Sequence, residues 1–135
     1  MLKFVRLLTA LAAAASLAAC SSLSSPSNQT VEDFSGTLDP AAQTFQTFSV
    51  RKTGELQVTL QSLTPRPVLG FLTLAIGSES AGTCTPIAGY IIQPAAIGTQ
   101  YAFPQVVKGS YCVLLSDSNA ILKEQVQWTI HLSHP

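Results

Sequence analysis

The chain has 135 residues, a formal net charge of zero and only 10% charged residues. This length suffices for a single domain with a buried core and argues against a multidomain protein. The sequence contains no cluster of basic residues of the kind that binds phosphates, so no nucleic-acid partner is expected. Thr, Ser and Gln supply most of the polar surface, a composition that favours strands over helices.

The first segment of the chain has the pattern of an export signal. Two cations, Lys3 and Arg6, precede an apolar-to-small run that extends from Leu7 to Ala19. This run is shorter than the roughly 20 residues that a membrane-spanning helix needs. We therefore interpret residues 1–19 as a cleaved signal peptide rather than as a permanent transmembrane anchor.

The signal ends in Leu17-Ala18-Ala19-Cys20. This tetrad resembles the lipobox of bacterial lipoproteins, in which Leu, a small residue and Ala or Gly precede an obligatory Cys. The resemblance implies cleavage before Cys20, attachment of diacylglycerol to its thiol, and acylation of the new amine with a fatty acid such as palmitate. Two or more acyl chains attach a protein stably, because each buried CH2 contributes about 0.8 kcal/mol. The alternative is an ordinary secretory signal with an incidental Cys.

The residues after Cys20 suggest where the anchor goes. Ser21 and Ser22 follow it, with no Asp directly after the Cys. This resembles the pattern of lipoproteins that are passed to the outer membrane. We therefore expect a lipid-anchored protein of the cell envelope, in the outer rather than the inner membrane, facing the periplasm or the cell surface.

Cleavage removes 19 of the 135 residues and leaves 116, with five Lys and Arg against seven Asp and Glu, a net side-chain charge of −2. Residues 20–30 comprise the lipidated Cys20 and a Ser-rich stretch with Pro26, which predicts a flexible tether. Residues 31–135 are predicted to form one domain.

Within this domain, apolar and polar residues alternate with a period of two. Leu56, Val58 and Leu60 alternate with polar residues, and residues 126–132 do the same, as expected of half-buried strands. Residues 71–76 are apolar on both faces, which predicts a central strand. Further strand candidates are residues 33–38, 45–51, 88–93, 99–103 and 110–115. Eight short strands separated by turn residues predict an all-β fold, an antiparallel β-sandwich of the jelly-roll type.

Four segments of the domain resemble the strands of bacterial pre-peptidase C-terminal domains. They are residues 32–38 (EDFSGTL), 45–50 (FQTFSV), 54–60 (GELQVTL) and 108–113 (KGSYCV). The resemblance covers residues 31–132 and implies a jelly-roll-like sandwich, often an appendage of secreted enzymes and without chemistry of its own. The family's aspartate-rich stretch after the third strand is replaced here by residues 65–70 (PRPVLG), so the resemblance implies no calcium site there.

With Cys20 assigned to lipid, Cys84 and Cys112 remain, and in an oxidising compartment we expect them to form a disulfide bond. A metal site with two thiolates is the alternative, although the sequence offers no further ligands nearby. The alternation predicts that Tyr111 and Val113 point into the core and Cys112 to the other face. Cys84 is predicted to lie in a long loop, residues 77–85, which the disulfide would pin to the neighbouring strand.

Neither of the two histidines lies near a nucleophile motif such as G-x-S-x-G, so no catalytic residue and no cofactor are predicted. His131 falls in the polar phase of the last strand and His134 follows it; we interpret both as solvated surface residues. Asp117 and Asn119 could supply oxygen ligands to Ca²⁺. The same Asp-Ser-Asn sequence is typical of a turn, and we favour the turn.

Residues 90–103 form a weakly charged, apolar stretch that includes the candidate binding residues Tyr90, Ile92, Tyr101 and Phe103. One interpretation is an exposed platform for a protein or glycan. The other, which we favour, is a pair of inner-sheet strands. Together these features predict a lipid-anchored, non-catalytic binding or interaction module with a protein or glycan partner. A small hydrolase, an inhibitor of a hydrolase, and a purely structural envelope lipoprotein are the alternatives.

Overall fold

A computed structural model describes residues 28–67 and 72–135. This part of the chain is all-β, with eight antiparallel strands in two four-stranded sheets. The strands are β1 (Thr30–Leu38), β2 (Gln43–Val50), β3 (Gly54–Thr64), β4 (Thr73–Ser80), β5 (Thr83–Ile92), β6 (Gln100–Val106), β7 (Gly109–Ser116) and β8 (Val126–His134). The predicted fold class and all eight strands are confirmed. The signal peptide, Cys20 and the tether up to residue 27 lie outside the described residues.

The two sheets have the strand orders β1-β8-β3-β6 and β2-β7-β4-β5. Their inner faces form one hydrophobic core, because every second residue of a strand points to the same side. In β8, Trp128, Ile130 and Leu132 are buried, whereas Gln127 is exposed. The prediction that the fourth strand is central is also confirmed, since β4 lies between β7 and β5.

The long loop predicted at residues 77–85 is wrong. This segment is the tip of a β-hairpin in which Ser80 pairs with Thr83 across a two-residue turn. Ala81 and Gly82 both have positive φ, +50° and +76°, as the tight turns that match the twist of a hairpin require. A composition rich in Ser, Gly and Thr suggested a loop, although such residues also pair well in a strand.

The predicted disulfide bond between Cys84 and Cys112 is confirmed, with an S–S distance of 2.03 Å. Cys84 lies on β5 and Cys112 on β7, so the bond crosses the strand between them, β4, at Gly77. As predicted, Tyr111 and Val113 face the core, while Cys112 belongs to a separate small cluster with Cys84 and two apolar side chains. The disulfide thus stabilises the outer side of its sheet.

Within the described residues, no helix has the length and apolarity to cross a membrane.

Candidate functional site

The four apolar candidates for partner binding lie where side chains of β5 meet those of β6. Phe103 is only 8% exposed, and the rings of Tyr90 and Phe103 meet edge-on with centroids 4.6 Å apart. Ile92 and Tyr101 are partly buried against the same core. The Tyr101 hydroxyl accepts a hydrogen bond of 3.0 Å from the backbone N–H of Ala96. These side chains contact the core, but β5 and β6 are edge strands of different sheets and do not pair with each other, so the predicted pair of inner-sheet strands is wrong.

Asp117 follows β7 directly and organises one end of the sandwich. Its buried carboxylate accepts hydrogen bonds from the backbone N–H groups of Ala41 (3.0 Å), Ile121 (2.9 Å) and Leu122 (3.1 Å). Burial raises the pKa of Asp117, but the three backbone donors together outweigh it, so the pKa lies below its ordinary value. The carboxylate is therefore charged and engaged by two connecting loops, while Asn119 is exposed beyond it.

Among residues 28–67 and 72–135, no three His, Cys, Asp or Glu side chains lie close enough to hold one metal ion.

The two histidines occupy opposite faces of β8. His131 lies on the outer face, where its Nδ1 is 2.6 Å from Oδ1 of Asp33 on β1. The side chains of this pair are 36% and 63% exposed, and residues 131 and 33 stand directly opposite each other in the sheet. His131 therefore lies at the surface, as predicted, and exposed pairs of this kind contribute about 0–1 kcal/mol to stability.

His134 differs from the prediction that it is a solvated surface residue. Its side chain is 2% exposed and its ring packs on Phe48, with centroids 5.2 Å apart. The Nε2 atom is 3.7 Å from Oε1 of Glu32 and has no hydrogen-bond partner. The ring lines a polar groove of about 480 Å³ along β2, together with Glu32, Arg51 and Glu79 among others.

A second cavity, of about 580 Å³, lies at the other end of β8, next to Val126. Pro65 and Pro67 of the loop after β3 form one wall, and the loop organised by Asp117 forms the opposite wall. Arg66, Lys123 and Glu124 supply the charged groups of its lining. This cavity is mainly apolar, unlike the groove at His134.

No protein-family model matches this chain, and no curated protein matches it in sequence. Among solved structures, it is similar to PliG of Aeromonas hydrophila, a periplasmic lysozyme inhibitor of g-type lysozyme. The TM-score is 0.55, the match covers 79% of this chain and 88% of that chain, and 12% of the residues are identical. The likeness is one of fold.

The groove at His134 is the feature that the sequence analysis missed. The signal was present, because Trp128, Ile130 and Leu132 set a period of two that places residue 134 on the core side as well. Nearness to the end of the strand had suggested a solvated side chain instead. No local pattern, however, could place Glu32 of β1 beside His134, since about a hundred residues separate them in the sequence.

Proposed function

We propose that this chain is a lipid-anchored, non-catalytic binding domain of the cell envelope, and that its partner is a hydrolase of that compartment which it inhibits. The observation that carries the proposal is the similarity of its fold to a periplasmic lysozyme inhibitor over 79% of the chain. The lipobox resemblance at Cys20 supports the same compartment. A structural disulfide, as formed here by Cys84 and Cys112, is typical of oxidising compartments such as the periplasm.

The proposal combines two interpretations that the sequence left side by side, a binding module and a hydrolase inhibitor. The resemblance of residues 31–132 to pre-peptidase C-terminal domains supports the non-catalytic part, because such domains carry no chemistry of their own. The histidine geometry supports it as well. His131, paired with Asp33, lies on the outer face of β8 and lines neither of the two cavities described above, whereas a general base acts on a substrate held in a pocket.

The inhibition itself is tested with residues 20–135 carrying Cys20→Ser, exported to an oxidising compartment so that the disulfide forms. We expect micromolar or lower concentrations to slow the lysis of cell walls by g-type lysozyme or another peptidoglycan hydrolase. The A. hydrophila inhibitor serves as the positive control. Neither inhibition nor binding in a panel of such enzymes, or hydrolysis by the domain itself, would contradict the proposal.

The anchor is tested separately in the full-length chain. Cys20→Ser is expected to abolish the incorporation of labelled palmitate and to move the protein from the membrane fraction to the soluble fraction, because no acyl chain is then buried in the bilayer. Ser21→Ala, which leaves the lipobox intact, is the matched control and should stay in the membrane. Density-gradient separation of the two membranes checks the expected outer-membrane location. A Cys20→Ser protein that is still processed like the parent and remains membrane-bound would show that the anchor lies elsewhere.

A further inference from the structure

Within residues 28–67 and 72–135, four strands are paired on one side only. They are β1 and β6 at the ends of one sheet, and β2 and β5 at the ends of the other. An edge strand leaves every second backbone N–H and C=O free to pair with another chain. Natural proteins protect such edges with prolines, bulges, charged residues or very short strands. The four edges of this domain differ in whether they carry that protection.

Three of the edges are protected. Pro104 lies within β6, and a proline has no N–H to offer to a further strand. β5 contains Pro86, and a bulge in which Gly89 has a φ of +87° displaces it from the register of β4. β1 carries Glu32 on its inner face and Asp33 on its outer face, so a strand added to it would meet a carboxylate on either side.

The edge of β2 has none of these features. Its sequence, QTFQTFSV, includes no proline and no charged residue, and it pairs with β7 in an unbroken register from Gln43 to Val50. β1 belongs to the other sheet and does not pair with β2, and the groove at His134 leaves the edge open along residues 47–49. A regular, uncharged edge of this kind is a template for a further strand.

The charges that flank β2 fit a second copy of the same strand. Asp39 is exposed in the turn just before β2, and Arg51 and Lys52, also exposed, follow its last residue. The uncharged strand therefore has a negative charge before its start and two positive charges after its end. In an antiparallel pair of two copies, the start of each strand lies beside the end of the other, so opposite charges meet at both ends.

Two further carboxylates line the groove near Arg51, and both are engaged elsewhere. Oε1 of Glu32 is 3.7 Å from Nε2 of His134. Oε1 of Glu79 accepts the backbone N–H of Gly82 at 3.1 Å. The charges of Arg51 and of the residue after it are therefore left to attract the acidic end of a second copy.

We propose that this domain forms a symmetric dimer in which β2 of one copy pairs antiparallel with β2 of a second copy, so that the two β2-β7-β4-β5 sheets join into one. The added strand also covers the exposed side of Phe45, which is half-buried in the small cluster on the outer face. A two-fold axis uses the same edge of both copies. Because the other edges are protected, the assembly ends at two copies. The dimer does not depend on the proposed inhibition of a hydrolase.

The assembly is tested by sedimentation velocity on residues 20–135 with Cys20→Ser, a chain that contains all eight strands. We expect a monomer–dimer equilibrium with a Kd of about 10–100 μM, because an interface built around one strand pair is small. Added salt should weaken the dimer, because it screens the charges at the ends of the strands. A chain that stays monomeric up to about ten times that concentration range, or that grows into larger assemblies, would overturn the proposal.

Hydrogen exchange locates the interface. In residues 43–50, the N–H groups that point away from β7 should exchange quickly in the monomer and become protected as the protein concentration rises. The free N–H groups of β1, β5 and β6 should show no such dependence on concentration. Protection that develops on one of those strands instead of β2 would place the interface on another edge and overturn the proposal.

Two lysine variants test the edge without disturbing the core. Thr47→Lys places a charge at an exposed position in the middle of β2, where the two copies come closest to the two-fold axis, and should weaken the dimer at least tenfold. Thr37→Lys makes the same change at an exposed position of β1 and should leave the Kd within twofold of the parent. Equal losses in the two variants would place the effect in the overall charge of the domain and overturn the proposed interface.

Charge reversal tests the antiparallel arrangement. Asp39→Lys leaves positive charge at both ends of β2, whereas Arg51→Glu/Lys52→Glu leaves negative charge at both ends. Each variant alone should dimerise at least fivefold more weakly than the parent, because like charges then meet. An equimolar mixture of the two should form a heterodimer at least as tightly as the parent forms its dimer. No gain on mixing would overturn the antiparallel pairing.

A strand of an inhibited hydrolase is the alternative occupant of this edge. Protection of the same β2 N–H groups by that enzyme, with no self-association of the free domain, would assign the edge to the enzyme and overturn the dimer. A dimer that forms through β2 although no hydrolase is inhibited would support this inference, and only the proposed function would fail.

Discussion

Replacing Asp117 with alanine is expected to lower the free energy of unfolding by about 3–5 kcal/mol. The carboxylate accepts three backbone hydrogen bonds, from Ala41 in the turn before β2 and from Ile121 and Leu122 in the loop before β8. Without it, three N–H groups lose their acceptor in a region that is partly or fully buried. An orphaned buried donor costs about 1–3 kcal/mol, and hydrogen bonds to a charged group lie at the upper end of that range.

The matched control is Asp39→Ala, which removes an exposed carboxylate from the same end of the sandwich. Oδ1 of Asp39 accepts one side-chain hydrogen bond, from Gln125 at 2.7 Å, so the expected loss is only about 0.5 kcal/mol. Urea unfolding of both variants at pH 7 measures the difference. Equal losses for the two substitutions would contradict the structural role of Asp117. Stabilisation by Ca²⁺ that is lost in Asp117→Ala would also contradict this role, and would instead support a Ca²⁺ site at Asp117 and Asn119.

The same carboxylate predicts how stability depends on pH. Burial raises its pKa, but the backbone hydrogen bonds lower it by more, so the pKa in the folded state lies below the ordinary value of 3.8. The contribution of the charged carboxylate to stability is therefore complete above the ordinary pKa of 3.8. It is lost as the pH falls from there through the lower pKa of the folded state. The difference in stability between the parent chain and Asp117→Asn should be constant from pH 5 to 7 and should shrink below about pH 4.

The success of the strand predictions has a simple physical origin. A strand with one face in the core must alternate apolar and polar residues, and residues 126–132 do so without interruption. That local pattern shows which side chains point inward. It carries no information on which strands become neighbours, since β1 and β8 lie at opposite ends of the domain in sequence and pair along their whole length. The two sheets and their strand order therefore emerge only from the structure.

The failures have equally specific causes. Residues 77–85 were predicted to be a loop because small and hydroxyl-bearing residues are common in loops, yet here they form two paired strands and a turn at Ala81 and Gly82. This hairpin is stabilised by the disulfide between Cys84 and Cys112 and by the pairing of β4 with β7. Sequence composition describes a segment in isolation, whereas these contacts belong to the assembled sheet.

The disulfide itself should contribute about 3–4 kcal/mol to stability, because it closes a chain segment of 28 residues in the unfolded state. The variant Cys84→Ala/Cys112→Ala removes both sulfur atoms and should show this loss in urea unfolding at pH 7, with the parent chain kept oxidised. A loss below about 1 kcal/mol would contradict the expectation that the bond stabilises the fold by restraining the unfolded chain.

Gly77 is the residue that lets the bond cross the sheet. It pairs with Cys112 on one side and with Pro86 on the other. A Cβ atom at this position would lie 2.8 Å from Sγ of Cys112, 2.9 Å from Sγ of Cys84 and 2.6 Å from the backbone oxygen of Thr85. Carbon does not approach sulfur or oxygen so closely, and Gly77→Ala is therefore expected to cost about 2–4 kcal/mol through displacement of the hairpin or the disulfide.

A double-mutant cycle separates the two contributions. In the Cys84→Ala/Cys112→Ala background, two of the three closest contacts of the added methyl group are gone and the backbone oxygen of Thr85 remains. The cost of Gly77→Ala should therefore fall by at least about 1 kcal/mol, a coupling of the size seen for residues in contact. Gly82→Ala is the matched control, because it lies in the same hairpin with nothing within 4 Å of its Cβ position. Its cost comes from its positive φ alone and should be the same with and without the sulfurs. Equal costs of Gly77→Ala in both backgrounds would show that the steric conflict lies only with the backbone of Thr85. The glycine would then be required by the hairpin and not by the disulfide that crosses it.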